Sequence, residues 1–279
     1  MAQARRVNLA VATGVALFAT AVIVAAASLI FQDKRLALAS SNREIIRVAG
    51  SAEASLNRTL LGVDLLLAET GNLMVLASSS GDILDETRAA LLLRGVSTAN
   101  LAVRHITLLD ARGGVVASSD ANAKRLGLAL PDAFLGDVLA QAVPALSMSA
   151  PAMSFVRSER VLYLARPISI GKSMRLAAVA EVGISALTDT IARGGGNGRF
   201  EISLERANGQ LLASVPPREE LLGTVLTPAL IVGQDVDGEL KEQPGRISGA
   251  AAIVVARPTL YPGIFVSASL PMDTALADW

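Results

Sequence analysis

A fourteen-residue stretch written twice constrains this chain more than any other feature. Ile106 to Ser119 reads ITLLDARGGVVASS, and Ile202 to Val215 reads ISLERANGQLLASV. At an offset of 96 residues the copies share Ile106/Ile202, Leu108/Leu204, Ala111/Ala207, Gly113/Gly209, Ala117/Ala213 and Ser118/Ser214. Each is an apolar run, a glycine turn and a second apolar run, which is a β-hairpin pattern. Asn208-Gly209 suits a tight turn because both residues tolerate φ > 0, and Arg112-Gly113-Gly114 can serve the same purpose upstream. Downstream, Ala165-Arg166-Pro167 recurs as Ala256-Arg257-Pro258. An apolar strand candidate follows each, Leu176 to Val182 and Ile264 to Leu270, and then a short helical stretch. Matched order over two segments predicts tandem units of about 100 residues rather than chance hairpins.

The N-terminus has a different character. Val7 to Phe31 contains no charged residue. As a helix it would extend about 37 Å, enough to cross a hydrocarbon core of roughly 30 Å. Arg5 and Arg6 with Ala25-Ala26-Ala27 could instead mark a cleaved signal peptide, but the apolar run exceeds the usual 7 to 15 residues, which favours an uncleaved anchor. The expected topology keeps the N-terminus inside and the bulk outside, because long domains translocate largely regardless of flanking charge.

Lys+Arg and Asp+Glu number 25 each, so no global field points to nucleic acid. The chain has no cysteine, which removes disulfides, thiolate metal sites and Cys nucleophiles, and its single histidine, His105, excludes any site needing two imidazoles. From Asp33 to about Leu76 the pattern turns helical. Ile45, Ala49, Ala52, Leu56, Thr59, Val63 and Leu66 form a seam that suits either a stalk pairing with a second subunit or a helix packed on its own domain. A second helix capped by Asp82 and reaching Arg94, a short helix from Phe134 to Ala142, and strands at Met153 to Arg157, Val161 to Ile168 and Arg175 to Gly183 complete a five-stranded antiparallel α+β unit. Ser185 to Ala192 reads as a linking helix, ended by the glycine run at 194 to 198.

ITLLDARGGVVASSD (Ile106 to Asp120), the Arg166-Pro167 strand with AVAEVGISAL after it, and the closing YPGIFVSASLPMDTALADW together resemble the extracytoplasmic double Cache sensor region of bacterial signal transducers. The resemblance implies an α+β fold: a transmembrane helix (1–31), a stalk helix (32–76), and two PAS-like antiparallel-sheet domains, membrane-distal (77–193) and membrane-proximal (194–279). It implies a periplasmic, ligand-sensing role at the cell membrane and a homodimer through the stalk. The output would be a diguanylate cyclase, phosphodiesterase (cyclic di-GMP signalling) or kinase beyond this chain.

Catalytic motifs fail inspection. Gly171-Lys172-Ser173 ends like a P-loop but has Arg166 where the first glycine is required. No nucleophile elbow occurs, and neither a metal nor a cofactor is expected. His105, at a strand start, reads as a strand-edge histidine. Arg157 and Tyr163 could look onto one sheet surface, offering a fork for a carboxylate and a hydroxyl beside an apolar wall, with Asp120 receiving an ammonium group. These residues, with Arg166, form the candidate ligand set for an amino acid or carboxylate. The recurrence of Arg166 and Arg257 before proline favours an architectural role for both. The expected function is a non-enzymatic sensor. The alternatives are an anchored interaction module without a ligand, or a secreted solute-binding protein if the N-terminus is cleaved.

Overall fold

Residues 2 to 75 contain no proline and only isolated glycines, so nothing in them stops a helix. They form one, α1 (Ala2–Val75), about 110 Å long at 1.5 Å per residue. The computed structural model describes residues 2–79, 83–155, 158–171, 174–194, 198–230 and 240–277, and of residues 2–16, 19, 79 and 83 the backbone only. Among the described residues no helix is long and apolar enough to cross a membrane. The expected span, Val7 to Phe31, falls partly on residues whose side chains lie outside that set. The part described leaves Leu17, Phe18, Ile23, Val24, Leu29, Ile30 and Phe31 exposed.

After α1 come β1 (Ser78–Ser79), β2 (Ile83–Leu84), α2 (Glu86–Ser97), β3 (Val103–Leu109), β4 (Val115–Ser118), α3 (Ala123–Leu126), α4 (Phe134–Ala140), β5 (Ser147–Met148), β6 (Ala152–Met153), β7 (Arg160–Ile170), β8 (Met174–Gly183) and α5 (Ile184–Ala192). Then follow β9 (Glu201–Arg206), β10 (Leu211–Val215), β11 (Lys241–Pro244), β12 (Ala251–Pro258), β13 (Ile264–Pro271) and α6 (Met272–Ala275). Asp85, rather than Asp82, caps α2, its side chain accepting from the Arg88 amide at 3.1 Å; Asp82 lies outside the described residues. The first large sheet has the order β4-β3-β8-β7-β5, with β6 also on β7, so it has six strands rather than the expected five. The second has the order β10-β9-β13-β12-β11.

The two orders are the same permutation, and the duplicated sequence carries the same register. Thr107 pairs with Ser118 and Leu108 with Ala117; at the 96-residue offset Ser203 pairs with Ser214 and Leu204 with Ala213. Each hairpin then has a register shift and a glycine in the left-handed region, Gly113 at φ 81° and Gly209 at φ 83°. A side chain costs little on a strand but much at such a φ, which is why glycine recurs there.

One apolar core joins both sheets through α1. Ile45, Ala49, Ala52, Leu56, Leu60, Val63, Leu67 and Met74 are fully buried, with inner-face residues of β3, β7, β8, β9, β12 and β13 in the same cluster. The seam expected to pair with another subunit is therefore occupied by the chain's own sheets, because a 3.6-residue stripe looks the same whichever apolar surface covers it. Its Thr59 and Leu66 are only half-buried. Of the two readings open to this stripe, packing on its own domain is the one the fold adopts.

Arg166 donates to Asp64 at 2.5 Å and Arg257 to Glu53 at 2.7 Å. Both carboxylates are on α1, so each Arg-Pro repeat fastens one sheet to the same helix. Gly194 marks another close approach, since a Cβ there would lie 2.6 Å from the Ala52 backbone nitrogen. Chain direction after α5 is thus set against the α1 backbone, where any side chain would force the two apart.

Candidate functional site

Alternation along a strand assigns the sheet faces. On the first sheet Ile106, Leu108, Leu162, Leu164, Ala178 and Ala180 face the α1 core. Leu109, Val161, Tyr163, Ala165, Ala177 and Val179 face the other way, under Leu128, Leu130, Phe134, Leu135 and Val138. On this second face, beside that apolar cluster, His105, Thr107, Asp120, Ala123, Gly127, Leu128, Val179 and Glu181 enclose a cavity of about 10 Å³, room for about one water.

Polar groups here are not all satisfied. Asp120 accepts from the Asn122 amide at 3.0 Å through Oδ1, while its Oδ2 is buried with no partner, as is His105 Nε2. Glu181 is buried and accepts from Ser154 Oγ at 3.1 Å. Burial pushes its carboxyl above the ordinary carboxylate range, with Ser154, His105 and Arg104 opposing and Glu159 adding to the rise. The Arg104 guanidinium is engaged by Glu159, with Nη2 to Oε2 at 2.9 Å. Tyr163 pairs with Glu181 in the β7–β8 ladder, and burial first, then that carboxylate, push its phenol up to about 12. A buried carboxylate oxygen without a donor is costly, and Asp120 Oδ2 finds none among the described residues.

Of the residues expected from sequence, Asp120 and Tyr163 lie on this face. Arg166 lies on the opposite one, paired with Asp64; strand alternation separates it from Tyr163, an odd number of residues away. Arg157 lies outside the described residues. Sequence reasoning missed Glu181 and gave His105 only an edge role. A lone carboxylate inside the apolar run LAAVAEVG, in phase with Ala177 and Val179, was the available signal.

A raised carboxyl pKa gives a signed expectation. Its folded value lies above its unfolded one, so ionisation of Glu181 costs stability as pH rises through the interval between them, and the cost is absent below it. Glu181→Gln will raise the melting temperature at pH 7 and leave it unchanged in acid below the ordinary glutamate value, as read by calorimetry across pH.

The equivalent face of the second sheet is finished differently. At the 96-residue offset, His105, Thr107 and Leu109 correspond to Glu201, Ser203 and Glu205. Arg246 covers this face, donating Nε to Glu205 Oε1 at 3.0 Å and Nη2 to Oε2 at 2.5 Å, and Nη1 to the Pro228 carbonyl. Ser203 Oγ bonds Glu205 at 2.5 Å and Ser267 Oγ at 2.6 Å, and the Ile247 and Ser248 amides both donate to Glu201 at 3.2 Å. In this module the acidic face carries its own cation. In the first, the described residues provide none that reaches Asp120.

No family model matches the sequence, and no curated protein does. Solved structures do. The extracellular domain of rpHK1S-Z16, a presumed histidine kinase, superposes with a TM-score of 0.66 at 18% identity over 88% of this chain and 100% of that one. The ligand-binding domain of the Pseudomonas fluorescens chemoreceptor CtaA, solved with L-isoleucine, gives 0.63 at 13% identity over 89% and 100%. That of the Pseudomonas aeruginosa amino acid chemoreceptor PctC, solved with GABA, gives 0.58 at 17% identity over 83% and 99%. The chain thus shares its fold with these extracellular and ligand-binding domains. Two of the three, those of CtaA and PctC, are ligand-binding domains.

Proposed function

We propose that this chain is the extracytoplasmic sensing region of a membrane-anchored transducer of the double Cache kind, and that its first sheet binds a small molecule bearing an ammonium group. The observation that carries the reading is the buried, partnerless Asp120 Oδ2 beside buried His105 Nε2 and Glu181. An ammonium offers three N–H donors and a positive charge, which answers Asp120 Oδ2 and the Glu181 carboxylate. Amino acids are the leading class, since the CtaA and PctC domains were solved with L-isoleucine and GABA. Tyr163 closes the apolar side of the site.

The cavity has room for water only, so a ligand must lift the segment from Asn122 to Phe134 off the sheet. Differential affinity for the lifted state is what lets occupancy bias a conformational equilibrium. The uncovered apolar surface between Leu17 and Phe31 supports anchoring in a bilayer, with α1 carrying the change towards an output domain outside this chain. The small cavity also favours a second reading, an anchored interaction module with no small ligand.

Thermal shift of the full chain in detergent separates the two. The sensor reading expects a ligand among L-amino acids, GABA and simple amines to stabilise by about 2.7 kcal/mol at one hundred times its dissociation constant, with the gain lost in Asp120→Ala. If no ammonium compound shifts the transition while a protein partner does, the interaction module stands instead.

A further inference from the structure

We infer a second binding site, for a small monocarboxylate with a short apolar tail, in the cleft between the two modules, centred on Arg206. The cleft holds about 410 Å³ and draws Phe134, Asp137, Leu146 and Met148 from the first module and Arg206 and Ile264 from the second.

Arg206 is the reason to expect an anion. Its Nε is buried without an acceptor, and its one side-chain hydrogen bond among the described residues runs from Nη2 to the Met148 carbonyl. No described carboxylate pairs with it, unlike Arg166, Arg246 and Arg257. Burial lowers its pKa, so the site disfavours the bare cation and an anion would relieve that cost. Ser147 Oγ, also on the wall, accepts from Gln141 at 2.6 Å and keeps its own proton to donate.

The internal repeat shows that turn geometry does not require this arginine. At the 96-residue offset Arg206 corresponds to Asp110, which holds its own hairpin by accepting the Arg112 and Gly114 amides at 2.8 and 2.7 Å. In the second hairpin Asn208 accepts the Gln210 amide at 3.1 Å. With turn-holding moved to Asn208, position 206 carries a guanidinium facing the other module. Phe134, Leu146, Met148 and Ile264 supply apolar wall for a tail, and Asp137 across the cleft opposes a second negative charge. An occupant here would touch both modules and so couple to their relative placement.

The test is isothermal titration of the full chain in detergent with sodium butyrate against matched sodium chloride. Saturable binding is expected, weakened about tenfold or more in Arg206→Gln by loss of a charge-assisted pair, and unchanged in His105→Ala. Asp137→Lys, on an exposed residue, should tighten butyrate and admit succinate, and it decides the matter alone if Arg206→Gln does not fold. No saturable binding, binding indifferent to both substitutions at the cleft, or binding abolished by His105→Ala would each overturn the site.

Discussion

Replacing Arg246 with alanine will destabilise the protein by about 3–5 kcal/mol, the cost of leaving a buried carboxylate without its cation. Arg246 and Glu205 are 5% and 0% exposed, and two N–H···O bonds join them. Solvent cannot reach Glu205 to replace the guanidinium, so the loss appears in full in urea unfolding monitored by circular dichroism. Glu205→Ala should cost a similar amount. The double variant Arg246→Met, Glu205→Leu should recover most of it, because neither charge is then stranded. A loss below about 1 kcal/mol for Arg246→Ala would mean the pair is solvated and does not seal the second sheet.

Leu56→Ala is expected to cost about 2–5 kcal/mol, the range for truncating a buried leucine that leaves a cavity. Leu56 is fully buried midway along the stretch of α1 that packs against both sheets. Since one apolar cluster includes α1 and the inner faces of both sheets, the variant should lower a single calorimetric transition, not split it. Two separated transitions, only one of them shifted, would show that the modules fold independently and that α1 belongs to one of them.

Repetition made the fold legible. The 96-residue offset, Gly113 with Gly209 and the two Arg-Pro pairs foretold two similar sheet units, because turn glycines and strand alternation are local signals, while the shared strand order came only with the fold. The partner of a helix stripe is not local. Ile45 to Val63 satisfied both a subunit seam and an internal one, and only the tertiary structure chose. β5 is two residues long, too short for any period to register, and so went unseen.

The site was half legible for the same reason. Asp120 follows a recognisable hairpin, and Tyr163 sits on a clear strand. Arg166 looked like a ligand group because a sequence does not state which face its strand turns towards α1. Arg246 gave no signal, lying in a turn two residues after Pro244 and meeting Glu205 from 41 residues away.

Glu53 and Asp64 are 11 residues apart on α1, about 16 Å or three turns, and each is gripped by the arginine of a different sheet. A rigid rod clamped at two stations cannot slip along one clamp without dragging on the other. Axial sliding of a single sheet along α1 is therefore resisted at both stations.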